Sequence, residues 1–169
     1  ISDPAPHHAH AVLALRPHHT GLDILLGIHR FAWLDARNAF HKWEDADERG
    51  HFMDLIHALP EGLRVGLSDG GMVPSEWQEE HLSSLAQSLR PDGDSVWFQI
   101  VRYSERGDSS LAGAGLIEGV AETLDLLWPI YQHIAWSQDN DFLHVVEQLD
   151  EEREARRTAA GTIEPGQKI

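Results

Sequence analysis

The chain has 169 residues, with 28 Asp and Glu against 13 Lys and Arg for a formal charge of −15, 41% hydrophobic residues and no cysteine. That length and apolar content suffice for one domain with its own core and are too hydrophobic for a wholly disordered chain. The missing cysteine excludes disulfide scaffolds, thiolate zinc sites and a cysteine nucleophile, and the carboxylate surplus excludes a phosphate-neutralising surface for nucleic acid and opposes anionic membranes.

Residues 1–10 carry Pro4 and Pro6 and no periodicity, and they read as a flexible arm. Ala11 to Leu15 is a short apolar run ended by Arg16 and Pro17, which predicts a strand. Thr20 is placed to cap a helical turn through Leu22, Leu25, Leu26 and His29. From Phe31 to Trp43, the spacing of Trp33, Ala36, Phe40 and Trp43 predicts an amphipathic helix. Glu44, Asp45, Asp47 and Glu48 suit the N-terminus of a second helix, because carboxylates favour that end of the dipole. It would bury Phe52, Leu55, Ile56 and Leu59 and stop at Pro60.

Leu63 to Leu67 predicts a strand, closed by the turn residues Ser68-Asp69-Gly70-Gly71. Ser75 with Gln78 has the spacing of a capping box for a helix running to Leu89. Arg90 to Gly93 is a turn. From Ser95 to Tyr103 both alternating faces are apolar, which predicts a strand in the middle of its sheet. A long helix begins near Leu111 and bends or ends near Pro129. A last helix begins near Asp139 or Asp141 and buries Phe142, Val145, Val146 and Leu149. Together these predict a helix-rich α+β single domain over residues 11–157, a small sheet of about three or four strands, and a flexible tail over 158–169. No segment approaches the roughly 20 apolar residues of a membrane span. The expectation is a soluble, cytoplasmic protein; the chain begins at Ile1, so its start does not inform on export.

Histidine is the first candidate for chemistry, with twelve copies, nine of them before residue 58. Imidazole ligates metals and titrates near neutral pH. Glu48-x-x-His51 and Asp54-x-x-His57 put two ligands on one side of a helix, so Glu48, His51, Asp54 and His57 are the candidates for a divalent transition metal. The second Glu-x-x-His pair that a carboxylate-bridged centre needs is missing. His57 also falls on the solvent side of its helical wheel. Gly113-Ala114-Gly115 through Gly119 opens a helix, but no lysine follows and carboxylates stand close by. Helix packing through small residues is the expected role there, not phosphate binding. Ser68, Ser75, Ser109 and Ser110 lack a nucleophile elbow.

Six tryptophans are many for a core of this size. Trp77 follows an exposed-looking loop, and Trp136 follows a helix break. Beside Glu76, Glu79 and Glu80, such aromatics suit an interface anchor. The expectation is therefore an acidic, non-enzymatic binding protein without a cofactor, of the inhibitor, immunity or accessory-subunit kind. It would engage a basic protein partner through Trp77, Glu76, Glu79, Glu80 and Trp136, not nucleic acid or membrane. Two alternatives stand beside it: a metal-dependent enzyme using the early histidines with Glu48 or Asp54, and a small-ligand domain with an aromatic pocket. Oligomeric state is left open.

Overall fold

In the computed structural model, residues 10–67, 70–89, 97–108 and 113–135 are described. Two strands, β1 (Val12–His18) and β2 (Gly21–His29), form a hairpin, followed by helices α1 (Trp33–Glu44) and α2 (Ala46–His57). A second hairpin, β3 (Leu63–Leu67) and β4 (Gly70–Met72), leads through a single 3-10 turn at Pro74–Glu76 into α3 (Glu79–Ser88). Strand β5 (Trp97–Glu105) and helix α4 (Ala114–Ala135) complete the described elements. The five strands form one antiparallel sheet in the order β1-β2-β5-β3-β4. The architecture is α+β, with one strand more than the upper expectation.

β5 pairs with β2 on one side and β3 on the other, which is the central place its two apolar faces demand. Register partners share a face of the sheet. Ile28 lies opposite Phe98, and Leu26 and Val65 both lie opposite Ile100, and these five side chains are at most 1% exposed. They join Trp43, Phe52, Ile56, Leu82, Leu85, Leu127, Ile130 and Ile134 in one core, so all four helices contribute to the layer over this face. On the other face Trp97 lies across Gly27, where a Cβ would stand 3.2 Å from the indole ring. Arg16 bridges Asp23 at 2.8 Å and Gln99 at 3.2 Å, and His18 stacks on Tyr103.

Three expectations change. Residues 21–29 are not a helical turn but β2. Ile24, Leu25, Leu26 and Ile28 follow one another broken only by Gly27 and are buried on both faces of this inner strand, a pattern that periodicity alone does not separate from a buried helix. Gly21 opens the strand because a Cβ there would collide with the Ser104 carbonyl oxygen. Ser75 does not open a capping box. It sits in the 3-10 turn with Pro74 at its start, and the N-cap of α3 is Gln78, whose backbone N–H donates to His81 Nδ1 at 2.9 Å. Of the two outcomes expected at Pro129, a bend or an end, helix α4 does not end there but continues to Ala135. The proline removes the N–H that would bond the Asp125 carbonyl, yet both residues are exposed and water can take that carbonyl, while Leu127, Ile130 and Ile134 anchor the helix on both sides.

Other expectations hold. Asp45 caps α2, its carboxylate accepting from the backbone N–H groups of Asp47 and Glu48 at 2.9 and 3.1 Å. Asp35, buried in the first turn of α1, accepts the Ala11 N–H at 2.6 Å and so ties the start of β1 to that helix. Most of the arm over residues 1–10, the 158–169 tail, the helix predicted from Asp139 and the Arg90 to Gly93 turn lie outside the described residues.

Candidate functional site

Helices α1 and α2 meet at a sharp corner, and the side chain at that corner is Trp43. Its ring is 6% exposed and packs on Phe40 and Phe52, at centroid distances of 5.4 and 4.5 Å. A cleft opens on each side of it.

The first cleft, about 450 Å³, lies between α1, α2 and α3. Phe40, Trp43, Leu82 and Ala86 supply apolar wall, and Glu44, Glu79 and Glu80 supply carboxylates. Arg49 is the one cation among its described lining residues. Its guanidinium is already engaged, donating to Glu79 at 3.0 Å and to the Trp43 carbonyl oxygen at 2.8 Å. Glu79 and Glu80 occupy the first turn of α3, where the dipole favours their charge. They, with Glu44, remain exposed at the rim. The cleft therefore offers apolar contact beneath a negative edge.

The second cleft, about 480 Å³, lies between α1, α2 and α4 and is lined by Lys42, Glu48, His51, Pro129, Gln132 and His133. Its titratable groups are largely spent on one another. Trp43 Nε1–H donates to His133 Nε2 at 3.2 Å, and Lys42 Nζ donates to the His133 carbonyl oxygen at 2.6 Å. Because His133 Nε2 accepts, the neutral ring carries its proton on Nδ1, which faces Glu48 at 3.7 Å. Burial first, then the Lys42 charge and His51, lower the His133 pKa from 6.5 to about 4. Protonating Nε2 would also set two N–H groups against each other. Lys42 is lowered from its usual value by burial, with Glu48 acting in the opposite direction.

The expected site residues separate. Trp77 is not an exposed anchor. It is 3% exposed, its Nε1–H donates to the Val65 carbonyl oxygen at 2.9 Å, and its ring meets Phe98 edge-on. The 3-10 turn before it folds the indole onto the sheet before α3 begins. Glu79 and Glu80 share the first cleft, while Glu76 is exposed on the 3-10 turn and does not line it. Trp136 lies outside the described residues, as do Ser68, Ser109 and Ser110.

Of the proposed metal ligands, Glu48 and His51 share the second cleft, but Asp54 and His57 do not line it. His57 Nε2 lies 2.8 Å from the Trp77 carbonyl oxygen, where it helps to hold the turn. Among the described residues no group of three or more His, Asp or Glu converges on a point a metal ion could occupy. The proton on His133 Nδ1 and the Lys42 ammonium also suit the second cleft poorly to a cation. Gly113 and Gly119, at the start of α4, do not serve close helix packing, since a Cβ on either would meet nothing within 4 Å. Sequence reasoning missed Lys42, Arg49 and His133. Phe40 and Trp43 carried a signal, one turn apart on a helix, but it reads as core.

Among the described residues no helix is long and apolar enough to cross a membrane. Comparison of the chain with family models, with curated proteins and with solved structures finds no match.

Proposed function

We propose that this chain is an acidic, non-enzymatic binding protein whose cleft between α1, α2 and α3 receives arginine- or lysine-bearing side chains of a protein partner. The observation that carries the reading is the composition of that cleft: aromatic and aliphatic walls under Glu44, Glu79 and Glu80, with its one lining cation already bonded within the protein. Long cationic side chains fit such a surface, laying their methylenes on Phe40 and Leu82 and their charge on the rim. The −15 charge of the whole chain adds long-range attraction for the same partner. A cytoplasmic location belongs to this reading, and the cysteine-free chain needs no oxidising compartment to form disulfides.

The test is the association rate with a partner captured from the native host and identified by mass spectrometry. Raising salt from 0.01 to 0.15 M shortens the Debye length from about 30 to about 8 Å, and the on-rate should fall about tenfold while the off-rate changes little. Reversing Glu44, Glu79 and Glu80 to lysine should lower the on-rate and flatten its salt dependence, with thermal stability unchanged. A partner that is itself acidic, or an on-rate indifferent to salt and to these reversals, overturns the reading.

A further inference from the structure

Helix α4 is apolar on more of its circumference than the core uses. Thr123, Leu127, Ile130 and Ile134 form the buried stripe. About 100° around the helix runs a second stripe, Ile117, Leu124 and Trp128, at spacings of seven and four residues, and it continues to Tyr131, which is partly buried against the core. Ile117 is 73% exposed and Trp128 49% exposed, and Trp128 stacks on Tyr131 with the two rings 5.4 Å apart. Single exposed apolar residues need no explanation, but a stripe along several turns of one helix marks an interaction surface.

The charges beside the stripe identify the occupant. Glu118, Glu122 and Asp125 follow it on the side away from the core, and α4 contains no Lys or Arg. A second copy fits poorly. Antiparallel pairing centred on Leu124 would bring Glu122 and Asp125 of the two copies to the same side of the seam, and in either orientation each copy carries −15. The chain beyond residue 136 also carries more carboxylates than cations. A cationic partner meets none of these objections.

We infer that the outer face of α4 is a docking site for a basic amphipathic helix of a partner protein. The helix lays its apolar side along Ile117, Leu124 and Trp128 and its lysines or arginines against Glu118, Glu122 and Asp125. This site is separate from the α1–α2–α3 cleft and stands whether or not that cleft is occupied.

The test uses the full chain with fluorotryptophan incorporated, the Trp128 signal being assigned by its loss in Trp128→Phe. The probe is a synthetic helix of about 20 residues, long enough to be helical in water, with leucine at i, i+3, i+4 and i+7 and lysine elsewhere. It should shift the Trp128 signal and slow amide exchange over residues 114–131. A glutamate version, and a lysine peptide of equal charge with its leucines scattered, should do neither. Ile117→Lys and the pair Glu118→Lys and Glu122→Lys, all at exposed positions, should each weaken binding about tenfold while melting like the parent. Four results would overturn the inference: equal binding of the scattered peptide, a shift confined to residues around Glu44 and Glu79, a Trp128 already shielded from a soluble quencher in the free monomer, or a concentration-dependent dimer abolished by Ile117→Lys. The second of these leaves the cleft reading standing. Failure of the Glu79 and Glu80 reversals to affect the captured partner leaves the α4 inference standing.

Discussion

The two clefts meet at Trp43, which lines the first and bonds His133 of the second, and they are similar in size and opposite in chemistry. On the α4 side, Lys42 and Trp43 both donate to His133 and Glu48 faces the His133 ring, so the polar groups hold three helices together. On the α3 side Arg49 bonds Glu79 and His41 Nδ1 lies 3.1 Å from Glu44, but these pairs are exposed at the rim, beside Glu80 and the apolar wall. By residue type alone the α4 side would rank higher for function, since it has a lysine, two histidines and a glutamate. Partnership reverses that ranking. Groups that satisfy one another stabilise a corner, whereas groups left at a rim can meet something else.

Truncation where the clefts meet should have the largest effect. Trp43→Ala removes a buried ring and the donor to His133, at a cost of about 3–5 kcal/mol. The melting temperature should fall by roughly 10 °C. A loss under a third of that in a thermal scan would mean that the two clefts do not depend on a common corner.

Acid should act next, through His133 on the α4 side. The His133 pKa is lowered on folding from 6.5 to about 4, so the unfolded chain binds the extra proton across that interval. Its contribution is therefore complete above about pH 6.5, declines as pH falls toward about 4, and is gone below that. On the order of 2 kcal/mol should disappear across the window, after allowance for partial solvent screening. In His133→Gln the slope of stability against pH over this interval should flatten. An unchanged slope in denaturant titrations would assign the acid sensitivity to other groups.

Arg49→Ala sharpens the comparison from the α3 side. It frees Glu79 and the Trp43 carbonyl oxygen, costing about 1 kcal/mol by chemical denaturation. The same change makes the rim more negative, so the captured partner should associate faster. Slower association would show that Arg49 itself contacts the partner. Smallest of all, Glu48→Gln should change stability by under about 0.5 kcal/mol, because the carboxylate is half-exposed and 3.7 Å from the ring it faces.

Local signals made several elements legible. The 3.6-residue repeat around Phe40 and Trp43, the carboxylates before α2, the stop at Pro60 and the two-faced apolar run of β5 each act over a few residues, and the structure keeps all of them. β2 was not legible as a strand, because an unbroken apolar run satisfies either a helix or a strand until its neighbours are known. Trp77 misled for a similar reason. Its exposure depends on the Val65 carbonyl oxygen and the Phe98 ring, which are brought beside it by strand pairing and not by sequence proximity.

The sequence by itself determined the acidic charge, the α+β class, the helices that flank Trp43 and the absence of any thiol, because each is a property of composition or of short-range spacing. Only the tertiary structure decided which carboxylates gather exposed at one rim and which histidine becomes a structural bond. Arg49 lies 30 residues from the glutamate it bonds, and Trp43 lies 90 from His133. Whether a charge is spent or available depends on partners that distant, and no local pattern in the chain encodes their meeting.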